Sequence, residues 1–113
     1  MPLRRMILEM GAGNDLHGGD YTKAALRAVQ DALHHSSLGF ARALDVDIES
    51  MVVKVTIGVQ RPDAVDADRI KASLPHGQVT VRVVEGGLDI PDKARGDVAV
   101  IASAAIEVWL DVA

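Results

Sequence analysis

The stretch from Met51 to Gln60 sets the terms for any fold of this chain. Met51, Val53, Val55, Ile57 and Val59 alternate with Lys54, Thr56 and Gln60, and a period of two sends apolar and polar side chains to opposite sides of an extended backbone. Such a strand belongs to a sheet with one face in a core and the other part-polar. Arg4 to Met10 also alternates, with Met6, Leu8 and Met10 on one face and Arg5, Ile7 and Glu9 on the other. Gln78 to Val84 reads as a third strand and Val98 to Leu110, the longest apolar run, as the last.

A helix fits from a cap at Asp20 or Thr22 to about Leu38, burying Ala25, Val29, Ala32, Leu33 and Ser36. A second, short helix fits Asp66 to Leu74 with Val65, Ile70 and Leu74 inward, bounded by Arg61-Pro62-Asp63 and Pro75-His76-Gly77. Asp45 to Ser50 is a polar connection, and Glu85 to Gly96 reads as a loop long enough to carry function. The order β-α-β-α-β-β predicts an α/β (α+β) two-layer sandwich: one domain over residues 1–113, with helices on one face of a four-stranded sheet. Lys54, Thr56, Arg82 and Glu107 fall on the other face, where a water-filled or subunit interface suits them better than a plain core.

A net charge of −4 and only three aromatic residues, Tyr21, Phe40 and Trp109, argue against a nucleic-acid partner. The absence of cysteine excludes disulfides, thiolate catalysis and zinc-thiolate sites. Met1 to Arg5 lacks the apolar region of a signal peptide, and no segment approaches the roughly 20 apolar residues of a membrane span. A cytoplasmic protein is the expectation. A hydrophobic fraction of 49% is high for a small monomer, so the chain is expected to cover part of its apolar surface as a homo-oligomer.

Between the first strand and the first helix stands Gly11-Ala12-Gly13-Asn14-Asp15-Leu16-His17-Gly18. Its glycines permit a tight turn, so the segment reads as a loop in which Gly11, Gly13 and Gly18 offer backbone to a ligand. Asp15 and His17, two apart, can reach one side of an extended segment. Together they make half of a metal site or an acid-base pair. A dinucleotide fingerprint fails, because Leu16 stands where its third glycine belongs and Asp15 repels a pyrophosphate. A zinc site needs a third protein ligand: His35 is the best candidate, then Glu9, Asp20 or a group from a neighbouring subunit. The plainer alternative has Asp15 bonding backbone amides of the turn while His17 packs against it. His34 and His35 diverge around a helix, with His34 toward solvent. No G-x-S-x-G elbow surrounds Ser36 or Ser37. Asp63, Asp66 and Asp68 fit helix-start electrostatics, and Arg61 suits either an anionic substrate or an ion pair.

The motif G-x-G-x-D-x-H-G, with YTKAALRAVQDALHHSS, VTIGVQRP and EGGLDIPD, resembles a conserved-hypothetical "Lin" family of bacteria and plants over nearly the whole chain. That resemblance implies no activity. More distantly, the layout is similar to methylerythritol cyclodiphosphate synthase, a trimeric zinc enzyme. In that family a G-x-G-x-D-x-H segment after the first strand supplies metal ligands, which would be Asp15 and His17. Gly18-Gly19-Asp20, Asp31-Ala32-Leu33 and Gly96-Asp97 match further parts of its layout. The stretch that supplies its remaining zinc-binding histidine is missing here. The fold also resembles the trimeric chorismate mutase and the small enamine/imine deaminases, whose sites lie between subunits and use arginine, here Arg61, Arg82 or Arg95.

These resemblances imply a trimer with its site at the Gly11-Gly18 loop near a subunit boundary. Three functions are then in play. One is a metal-assisted small-molecule enzyme holding a divalent ion, zinc first, on Asp15, His17 and His35. The second is a metal-free acid-base enzyme using Asp15 or His17 with an arginine. The third is a non-catalytic ligand-binding or scaffolding oligomer in which the motif only shapes a turn.

Overall fold

The alternating segments assemble into one five-stranded sheet. The computed structural model of the chain describes residues 3–34, 50–74 and 77–111. Its elements are β1 (Leu3–Asp15), α1 (Tyr21–His34), β2 (Val52–Val59), a 3-10 turn (Pro62–Ala64), α2 (Ala67–Ala72), β3 (Gln78–Glu85), β4 (Leu88–Asp92) and β5 (Asp97–Asp111). The sheet order is β1-β5-β2-β3, with β4 also on β5. β2 and β3 run parallel, and β5 is antiparallel to β1, β2 and β4. Along one side β5 meets β1. Along the other it meets β2 from Ser103 to Trp109 and β4 from Asp97 to Ile101.

The two-layer α/β architecture is therefore as expected. Val53, Val55, Ile57 and Val59 of β2 and Val100, Ala102, Ala104, Ile106, Val108 and Leu110 of β5 form the buried face. α1 and α2 cover it, contributing Ala24, Ala25, Ala28, Val29, Ala32 and Ile70. Asp66 caps α2 by accepting from the Asp68 and Arg69 amides. Lys54 and Arg82 stand exposed on the opposite face, with Thr56 and Glu107 half-buried beside them.

Three expectations need correction. First, β1 does not stop at Met10 but continues to Asp15, so Gly11 and Gly13 are strand residues rather than a loop. A methyl at Gly11 would lie 2.4 Å from Ala32 N and 2.6 Å from Ala28 O, and one at Gly13 would lie 2.3 Å from Ala28 N. The glycines thus let the α1 backbone lie directly on the strand, and the helix answers with Ala24, Ala28 and Ala32 at that contact. The expected stripe holds at Ala25, Val29 and Ala32, with Leu33 packed at its edge, and is widened toward β1 by Ala24 and Ala28; Ser36 lies outside the described residues.

Second, the segment read as a loop, Glu85 to Gly96, contains β4, which makes the sheet five-stranded. Gly87, at φ +62°, is where the chain passes from β3 to β4, and a side chain there would meet Ile101 O at 2.0 Å. Third, Met6 does not share a face with Leu8 in regular alternation, because a bulge lies between Arg5 and Ile7. The expected helical turn from His35 to Leu38 and the connection up to Glu49 lie outside the described residues, as do Pro75 and His76.

The helix-strand contact makes a direct prediction. Gly13→Ala lowers folding stability by about 1–3 kcal/mol or more through overpacking, read as a fall in the urea midpoint. Gly96→Asn, at a left-handed φ with nothing within 4 Å of the added carbon, costs less than about 1 kcal/mol.

Candidate functional site

Seating α1 on β1 fixes what lies at the helix N-terminus, where the chain turns from Asp15 to Tyr21. Asp15 is buried at 5% exposure. Its Oδ2 accepts from the Asp20 backbone N–H at 3.0 Å, while Lys23 Nζ and Arg27 stand 3.8 Å and 3.7 Å from Oδ1. Arg27 also donates to the Asn14 carbonyl at 2.6 Å. Asp20 caps the helix, accepting from the Lys23 N–H at 3.0 Å. Asp15 therefore fastens the strand end to the helix start, and the two cations on α1 offset its buried charge.

His17 turns elsewhere. Its Nδ1 lies 3.2 Å from Asp97 Oδ2, with the ring well exposed. Asp97 Oδ1 accepts from the Gly18 and Val98 amides, each at 2.8 Å. These amide bonds, chiefly that from Gly18, and then His17 hold the Asp97 carboxyl below the usual carboxylate range. Gly18 and Gly19 adopt left-handed φ of 91° and 61°, the geometry that directs the Gly18 amide to Asp97.

Beside this loop opens a cleft of about 470 Å³ lined by Gly18, Gly19, Tyr21, Arg61, Asp89, Pro91 and Val98. The sheet register explains its walls. Asp15, Val100 and Asp89 pair across β1, β5 and β4, so Asp89 points to the face that α1 covers. There Tyr21, in the first turn of the helix, donates its hydroxyl to Asp89 Oδ2 at 2.5 Å. Asp89 Oδ1 is buried and has no hydrogen-bond partner among the described residues. That hydrogen bond, with burial and the Asp89 charge, raises the Tyr21 pKa above its ordinary value, and Arg61 opposes the rise.

Arg61 follows β2 and pairs with no carboxylate among the described residues. Thr22 Oγ1, which accepts from the Asp66 N–H at 2.9 Å, ties that segment to α1. The cleft thus sets an uncommitted guanidinium and an uncommitted carboxylate oxygen around one hollow. Unpaired buried acceptors are costly, and a bound donor would relieve this one.

Asp15 and His17 are not brought together: one is buried under α1 and the other reaches outward to β5. Neither lines the cleft. Among the described residues no three His, Cys, Asp or Glu side chains converge as a metal-ligand group. Asp20 caps α1 and Glu9 lies on β1, while His35 lies outside the described residues. Gly18 does line the cleft, whereas Gly11 and Gly13 face the α1 backbone. Arg61 is where an anion would meet it, Arg82 lies on the far face of the sheet, and Arg95 stands 3.8 Å from Asp92.

Asp97, Tyr21 and Asp89 were missed as site residues. Asp89 and Pro91 belong to the long segment marked as a functional candidate. Tyr21 carried a weaker signal as the lone tyrosine of the chain.

No described helix is long and apolar enough to cross a membrane. Among curated proteins the chain finds no match. It is similar to an FtsZ-like protein of unknown function from Nostoc punctiforme, whose crystal structure shares 32% sequence identity and a TM-score of 0.86 over 99% of each chain. A family model described as a conserved hypothetical protein matches residues 5–108. On that match, which reaches into every strand and helix of the fold, the chain belongs to the Lin0512 family.

Proposed function

We infer that the protein binds a small polar molecule, without a metal, in the cleft between α1 and β4. Asp89 carries this reading: its Oδ1 is buried and unpaired, its Oδ2 is held by Tyr21, and Arg61 shares the same hollow. The complementary ligand carries an anionic oxygen for Arg61 and an N–H or ammonium donor for Asp89. Asp89 is then also the group placed to accept a proton from that ligand, the acid-base reading moved from Asp15 and His17 to the cleft.

A divalent ion is the second reading, favoured by the 3.2 Å contact of His17 and Asp97, two ligand types at the mouth of the loop. The apolar side chains of Leu8 and Met10 on β1 and Leu88 and Ile90 on β4 are 46–66% exposed. All four pair with odd-numbered β5 residues, on the face the helices leave open. They support a homo-oligomer, the trimer among the options.

Because Tyr21 is the only tyrosine, an ultraviolet titration reads its ionisation directly. We expect a midpoint above the ordinary phenol value that falls in Asp89→Asn; a midpoint unmoved by that substitution counts against the cleft geometry. Amide-detected titration with small carboxylates bearing an amine or amide should shift Gly18, Gly19 and Val98, and Arg61→Ala should weaken the response at least about tenfold. Zinc added to tag-free protein tests the metal reading: stoichiometric uptake lost in His17→Ala supports it, and no uptake removes it. Light scattering should give a multiple of the 12.0 kDa chain mass, lowered by Met10→Lys. A monomer at micromolar concentration contradicts the assembly.

A further inference from the structure

The open face of the sheet carries a second polar hollow, of about 320 Å³, remote from the cleft and lined by Lys54, Thr56, Thr80, Arg82 and Glu107 among others. The parallel register pairs Lys54 with Thr80 and Thr56 with Arg82. The two cations therefore sit on one diagonal of a quartet and the two hydroxyls on the other. Strand spacing and rise set the four backbone positions about 5 Å apart across the strands and about 7 Å apart along them, close enough for their long side chains to reach one small guest.

The surroundings leave the charge uncompensated. Glu107 pairs with Lys54 in the β2–β5 register, but its carboxylate is engaged by Arg5 at 3.4 Å. Among the described residues no carboxylate lies within ion-pair distance of Lys54 or Arg82. The Lys54 ammonium rests instead over the Trp109 ring, 4.5 Å from its centroid, a contact that orients the cation without neutralising it. In a chain with a net charge of −4, Arg5, Lys54 and Arg82 against Glu107 leave this patch positive.

We propose that Lys54, Thr56, Thr80 and Arg82 bind a small oxyanion of the phosphate, sulfate or carboxylate class on the helix-free face of the sheet. The lysine supplies a point charge, the arginine a planar fork and the threonines two neutral donors, and all four line one hollow on two neighbouring strands, with the lysine leaning toward Trp109 until an anion draws it in. The site shares no residue with the Tyr21–Asp89 cleft and does not depend on the reading given to it.

Trp109 is the only tryptophan and touches Lys54, so it reports on the site. Titrating the full chain with inorganic phosphate should change its fluorescence saturably, beyond the effect of sodium chloride at matched ionic strength. Lys54→Met with Arg82→Met should weaken the response at least about tenfold while the circular dichroism spectrum stays that of the parent. Glu107→Gln, which removes the neighbouring carboxylate, should tighten it, and Arg61→Ala, in the cleft, should leave it unchanged. A response no larger than that to chloride, or one that persists in the double variant, overturns the proposal.

Discussion

The approach of one backbone to another, α1 onto β1 at Gly11 and Gly13, is the constraint on which the rest of the molecule turns. With side chains at those positions the helix axis would have to move outward. The buried alanines would lose contact, and Asp15 would no longer reach the amide of Asp20. Close packing of this kind tolerates little adjustment, because displaced backbone has no alternative rotamer to adopt. It also decides where the first turn of the helix stands, and so where the Tyr21 hydroxyl meets the sheet.

The run of glycines, acid and imidazole then divides into separate physical tasks. Gly11 and Gly13 make room, and Asp15 joins strand to helix under the charges of Lys23 and Arg27. His17 and the Gly18 amide join the loop to β5 through Asp97. What looked like a constellation aimed at a ligand is largely the fastening of three elements to one another, and the cleft opens beside it. A buried carboxylate given an amide and two cations is a stable strut. One given a single phenol, as Asp89 is, keeps an unfilled acceptor on the wall of the cleft.

Much of the fold was legible because alternation is a strong signal when one face is buried: Val53 to Val59 and Val100 to Leu110 announce their strands and which side goes inward. The start of the short helix near Asp66 was equally plain. The end of β1 was not, since Gly-x-Gly suggests a turn unless the alanines of the facing helix are known to lie against it. β4 escaped because Leu88 to Asp92 is short, holds a proline and follows two glycines, all marks of a loop. The pairing of Asp15 with His17 assumed an extended backbone through both residues, whereas extended structure ends at the first of them. Tyr21 and Asp89 stand 68 residues apart, and only the register of two strands on β5 reveals that they meet.

That register has a mechanical corollary. β5 is gripped along one flank by a single long strand and along the other by two strands laid end to end, and β4, five residues long, is the weaker of that pair. One wall of the hollow, the helix, is bedded in the core. The other is held to the sheet by a single ladder, along β5, and to the helix by the Tyr21–Asp89 bond. Any breathing of the gap on admitting a guest is therefore borne by the Asp89 side, so the unsatisfied oxygen travels with the wall that yields.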